Sequence, residues 1–155
     1  VATRDTAKKP PEPVAPPEAR SIALRLLATR PHATGELRQK LRQRRLPRAE
    51  IEEALARMEE LGYLDDLAFA RALVARRAGS RGPALIAREL AAKGISRELA
   101  QVALQGLDRK DQVATATLVA RAGGDADPRR TAARLHRRGF SPDVIARAMD
   151  LDLDD

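Results

Sequence analysis

The sequence predicts an all-α fold: three tandem three-helix repeats in an elongated, curved arrangement, behind a disordered Pro-rich N-terminal arm. Apolar residues make up 43% of the 155 but aromatic ones only 2%, so the core must be built from Leu, Ala, Ile and Val, a palette that favours helix. Apolar positions recur at helical spacing, as in Ile51, Ala54, Leu55 and Met58, which follow i, i+3, i+4, i+7. No segment alternates convincingly as a strand. The third observation is internal repetition, the signature of a solenoid-like array.

The arm comes first. Residues 1–18 hold five of the ten prolines (Pro10, Pro11, Pro13, Pro16 and Pro17) and, proline aside, no apolar side chain larger than alanine except Val1 and Val14. Such a segment cannot bury enough surface to offset its ordering entropy. From Arg20 onward the pattern is helical. Gly62, Gly94 and Gly139 stand where helices should end, and Ser96 and Ser141 stand where the next should be capped. Pro142 follows Ser141, where its fixed φ suits a first helical turn.

Moving residues 22–58 forward by 49 and then by 45 superposes Leu24, Leu73 and Leu118; Leu41, Leu90 and Leu135; Ala54, Ala103 and Ala148; and Leu55, Leu104 and Met149. The punctuation repeats with the apolar residues: Pro83 falls on Pro128, Gly94 on Gly139, Ser96 on Ser141 and Asp66 on Asp111. The units are therefore expected at 19–63, 64–107 and 108–155, the last ending in the acidic DLDLDD. Each has too few residues to bury a self-sufficient core, so neighbours are expected to share a hydrophobic seam.

Composition narrows the function. Cysteine is absent, which rules out disulfides, thiolate metal sites and a cysteine nucleophile and fits a cytoplasmic protein. No stretch approaches the roughly 20 apolar residues of a membrane span, and the charged start lacks a signal's apolar segment. A soluble monomer without membrane contact is expected. Lys plus Arg number 29 against 22 Asp plus Glu, a net charge of +7, which points to an anionic partner, nucleic acid or an acidic protein surface.

A reactive centre is not legible. His32 and His136 lie in different units and suit solvated or capping roles, and no ligand spacing for a metal or cofactor is present. GSRGP at 79–83 matches no phosphate-binding loop and follows a helix. Ser21, Ser80, Ser96 and Ser141 have no histidine nearby. Asp65 and Asp66 form a carboxylate pair, but Asp66 opens the helix LAFARALVARR, where it is expected to accept from free backbone N–H groups, as is Asp111 in the next unit. The expected protein is not an enzyme.

Cations repeat by position. Arg44, Lys93 and Arg138 occupy one slot at the end of each second helix, and Lys40 and Arg134 precede two of them by one turn. The helix dipole favours a cation there by about 0.3–1 kcal/mol, which accounts for one per helix. The surplus does not need capping: Arg38, Arg42, Arg45 and Arg48 crowd the first unit, Arg76, Arg77 and Arg81 flank the loop of the second, and Arg129, Arg130 and Arg137 thicken the third. Lys40, Arg44, Arg45, Arg76, Arg77, Arg81, Lys93, Arg134 and Arg138 are the candidate partner-binding residues. With no Trp, one Tyr and two Phe, stacking platforms for bases are scarce, so any nucleic acid would be held through phosphates. Tyr63 and Phe69, two large rings at a unit junction, read as core or as partner anchors.

Residues 59–96 resemble the RecX family of recombinase regulators. LGYLDD (Leu61–Asp66), the following Phe69-Ala70, Gly82-Pro83 and LAAKGI ending at Ile95 carry the likeness, with ELRQKL before and RRGFSPDVI after it. Directly behind Gly82-Pro83, where family members often place basic residues, this chain has Ala84 and Leu85, leaving Arg81 and Arg88 as the nearest cations. The resemblance implies three tandem three-helix repeats and a non-enzymatic protein, needing no cofactor, with a place in recombination, DNA repair and the SOS response. It implies binding in the groove of the RecA recombinase filament and inhibition of its ATP hydrolysis and strand exchange. The residues alone leave a second reading, a sequence-nonspecific helical DNA-binding protein; the chain has no Asn to read base edges.

Overall fold

The computed structural model describes residues 17–124 and 127–153. The expected arm up to residue 16 and the last two residues of the acidic end lie outside them. Among the described residues there are nine helices and no strand: α1 (Glu18–Thr29), α2 (Thr34–Gln43), α3 (Arg48–Glu60), α4 (Asp66–Arg77), α5 (Pro83–Ala92), α6 (Arg97–Leu104), α7 (Arg109–Ala122), α8 (Pro128–Arg137) and α9 (Pro142–Leu153). In each consecutive triplet all three helices pack on one another, and the first and third make the main contact in every unit.

Three separate cores result. Ile22, Leu37, Leu41, Ile51, Leu55 and Met58 centre the first. Phe69, Leu73, Ile86, Leu90 and Ile95 centre the second, and Leu135, Phe140, Val144 and Ala148 the third. Each large aliphatic side chain so buried contributes about 1.5–3 kcal/mol. The expected shared seam is small: among the described residues Ala33, from the first unit, enters the core of the second, and Leu64, from the second, enters the core of the first. The units otherwise meet through backbone and polar groups.

The repeat holds in the second and third helices and slips in the first. Leu41, Leu90 and Leu135 are fully buried, and Ala54, Ala103 and Ala148 nearly so. Leu24 and Leu118, however, are 39% and 67% exposed while Leu73 is buried, so these three leucines are not equivalent. The buried first-helix positions are Ala19, Ala70 and Ala116 and, one turn on, Ala23, Val74 and Ala120. The connection after the first helix spans 30–33 in unit one and is one residue longer, 78–82 and 123–127, in the others.

The second helices end alike. Gly94 and Gly139 adopt left-handed φ values of 80° and 88°, and the position equivalent to both holds Arg45 at 60°. The N–H of each donates to the carbonyl three residues back, Arg42, Ala91 and His136, at 2.9 Å in all three cases. The next N–H closes the turn in two of them, Ile95 to Leu90 O at 3.0 Å and Phe140 to Leu135 O at 3.3 Å, and those side chains turn into the cores.

These ends are also the joints. A Cβ on Gly35, in the first turn of α2, would lie 2.8 Å from the Cα of Gly94. A Cβ on Gly82, ahead of α5, would overlap the carbonyl of Gly139. At the second joint the Gly82 N–H donates to Arg138 O at 2.8 Å and the Ala84 N–H to Gly139 O at 3.2 Å. The end of α8 thus abuts the start of α5, and the end of α5 abuts the start of α2. Their dipoles align head to tail.

Candidate partner interface

Arg44, Lys93 and Arg138 are the C-cap residues of α2, α5 and α8, the slot expected from the repeat. The nine candidate cations nevertheless differ in what holds them. Lys93 Nζ donates to Glu36 Oε1 at 3.1 Å across the first joint. Arg77 Nε meets Glu89 at 2.9 Å, and Arg81 pairs with the same carboxylate. Arg134 folds back to donate to Ala120 O at 2.9 Å, filling the space beside Gly123. Arg138 Nη1 reaches Ser80 O at 3.3 Å across the second joint. Arg44, Arg45 and Arg76 are exposed and Lys40 is half-buried; none of the four forms an ion pair with the described residues.

The cations gather in three places. Arg44 and Arg45, with exposed Arg42 and Arg48, crowd the open end of unit one, whereas Arg38 is tied to Glu52 by two bonds of 2.8 and 3.1 Å. That fork raises the Arg38 pKa and lowers that of Glu52. Arg81 and Arg138 sit at the second joint. Arg30, Arg76, Arg77 and Lys93 line a cleft of about 710 Å³ between units one and two.

That first joint has a hub the sequence did not reveal. Glu36, its side chain 11% exposed, accepts from Arg30 and from Lys93. The hydrogen bond from Arg30, then that from Lys93, holds its carboxyl down at about 2 despite burial. Ion pairing spans 57 positions here, a separation at which no spacing rule operates. His32 lies beside it, 3% exposed, not solvated as expected. Its Nδ1 is 2.9 Å from Arg30 O, which fixes the proton on that nitrogen, and its buried Nε2 has no partner among the described residues. Burial lowers its pKa, so the ring is neutral at pH 7.

The carboxylate pair divides its work differently from expectation. Asp65, not Asp66, caps α4, accepting from Ala68 N at 2.9 Å. Asp66 accepts from Thr34 N at 2.8 Å and so caps α2 from the neighbouring unit, since the residue in the cap position there, Ala33, has no acceptor. Asp111 is likewise not the cap but the third residue of α7, whose cap is Asp108, accepting from Lys110 N at 2.8 Å. Ser96 caps α6 as expected.

The two aromatic candidates part company. Phe69 joins the second core, while Tyr63 is 57% exposed. Among the described residues no three His, Asp or Glu side chains gather as a metal site, and no helix is long and apolar enough to cross a membrane.

A family model described as the first three-helix domain of RecX matches residues 19–58, and one for its second three-helix domain matches 65–104. The Regulatory protein RecX of Streptomyces coelicolor is 39% identical over 94% of this chain and 81% of its own length. That of Thermobifida fusca is 35% identical over 94% of this chain and 86% of its own. The crystal structure of RecX from Lactobacillus salivarius superposes with a TM-score of 0.79 at 26% identity, covering 88% of this chain and 96% of that one. Three helical units in series, their joints, and relatives aligned along nearly their whole length place this chain in the RecX family of regulatory proteins.

Proposed function

We propose that this protein binds the filament of the RecA recombinase and inhibits its ATP hydrolysis and strand exchange, thereby restraining recombination and DNA repair. The observation that carries this reading is the serial joint: the end of one second helix meets the start of another, twice, in one sense. A polar row of repeated units suits a polar, repeating host, whose adjacent subunits it can span. Lys40, Arg44, Arg45 and Arg76 are the contact cations that need no rearrangement to meet acidic groups. Arg77, Arg81, Lys93, Arg134 and Arg138 act first within the fold and offer their remaining N–H donors. The protein acts as a cytoplasmic monomer without a cofactor.

The test is DNA-dependent ATP hydrolysis by the recombinase against added protein, with free-DNA binding measured alongside at two salt concentrations. Inhibition is expected well below the concentration that saturates free DNA. Arg44→Glu, Arg45→Glu and Arg76→Glu together should weaken it about tenfold or more with helical content unchanged. Reversal at Lys93 is a poorer probe, because it would place a second carboxylate beside Glu36.

The exposed group Arg42, Arg44, Arg45 and Arg48 favours a second reading, phosphate-mediated binding to DNA itself. It predicts a shift of free duplex equally well without recombinase and a steep fall with salt.

A further inference from the structure

The first joint holds more than the contacts between units require. The cleft of about 710 Å³ has an apolar floor that includes Pro31, Ala72 and Leu73 and a wall of cations, Arg30, Arg76, Arg77 and Lys93, against one lining carboxylate, Asp65. A second hollow of about 550 Å³, lined by Leu24, Leu27 and Ala28, adjoins it and shares Pro31, Gly62 and Tyr63. Tyr63 therefore stands on the ridge between a basic hollow and an apolar one. Leu24 on the apolar side is 39% exposed. Both volumes fall within the roughly 300–1,000 Å³ typical of binding sites.

We propose that this double hollow seats an acidic segment of a partner protein, with large apolar side chains against Tyr63 and the Leu24–Leu27 hollow and carboxylates against Arg76, Arg77 and their neighbours. Charge complementarity selects the occupant. Arg77 is fixed by Glu89 through Nε alone, and Arg30 and Lys93 are fixed by Glu36, so these donors are pre-ordered and lose little rotamer freedom when a carboxylate arrives. Arg76 brings a guanidinium that forms no ion pair with the described residues. An exposed tyrosine flanked by arginines is the composition of a protein–protein anchor. Nucleic acid fits less well: Phe69 and Phe140 are buried, which leaves no second ring on which successive bases could stack, and Asp65 would repel phosphate. The inference rests on the regulatory reading above only for the identity of the protein that carries the segment.

The chain offers its own reporter, since Tyr63 is its one tyrosine and tryptophan is absent. Intrinsic tyrosine fluorescence should change saturably with a short peptide of alternating Glu and Leu or Phe residues, and not with a Glu-only peptide of equal length. Arg76→Glu should weaken that titration about tenfold, the scale of a lost charged hydrogen bond. Tyr63→Ala, at an exposed position, should weaken binding to the recombinase filament by a similar factor and leave free-DNA binding unchanged. No response to the mixed peptide, or an equal response to a short oligothymidylate, would overturn the proposal. Unaltered filament binding by Tyr63→Ala would overturn it while leaving the regulatory reading intact. Peptide binding without any effect of the native protein on the recombinase would remove that reading and leave the double hollow with another acidic partner.

Discussion

Residue 45 separates two demands that glycine usually meets together. The left-handed turn ending each second helix is needed in all three units, but only Gly94 and Gly139 also face another backbone, at Gly35 and Leu85. Among the described residues no unit packs on the end of α2, and there an arginine occupies the same conformation. Arg45→Gly should accordingly shift stability by less than about 1 kcal/mol, since relief of the left-handed backbone is offset by glycine's freedom when unfolded. Gly139→Ala should cost more than about 2 kcal/mol, because strain and overlap with Leu85 add; urea midpoints measure both. Acid should find the first joint by two routes. The His32 pKa lies below its ordinary 6.5 in the folded state, so the unfolded chain binds the proton better and stability falls as pH drops below 6.5. The Glu36 carboxyl, moved from 4.5 to about 2, stabilises fully above 4.5 and loses that share as pH falls towards 2. Glu36→Gln should remove the second decline and keep the first, read from urea midpoints against pH. Neither group was legible in the sequence, because burial of a lone histidine and pairing across two units depend on where the units dock.

Among the elements, the second helices were the most readable and the first helices the least. Gly, Ser and Pro at fixed places mark α5, α6 and α8 because a cap or a left-handed turn admits few residue types. A buried face filled with alanine and leucine marks nothing so firmly, and the leucines Leu24, Leu73 and Leu118 align in sequence but not in burial. Caps went astray for a related reason. Asp65 and Asp66 are equally good acceptors in sequence, and only the approach of α2 decides that Asp66 serves Thr34. Asp65→Ala should cost about 1 kcal/mol and raise amide exchange in the first turn of α4. Asp66→Ala should instead expose the N–H of Thr34 and loosen the first joint, with protection lost in α2 rather than in α4.

Taken as a whole, the molecule is three small cores in series, and that changes how damage spreads. A shared seam would couple the units through apolar area; joints of backbone and ion pairs couple them weakly. Leu90→Ala, which empties a fully buried site, should cost about 2–5 kcal/mol, with faster amide exchange concentrated in α4, α5 and α6 and little change in α7–α9. The overall charge was readable from composition alone, but which arginines face outward was not: Arg77, Arg81 and Lys93 look like Arg76 in the sequence and differ only through the carboxylates that the fold delivers to them. At both joints main chain packs directly on main chain, Gly35 against Gly94 and Gly82 against Gly139, and the cross-unit bonds of Lys93 and Arg138 lie beside these contacts. The step from one module to the next is therefore set by the thickness of the polypeptide itself, and the molecule is a gauge whose graduations stay true while its surface drifts.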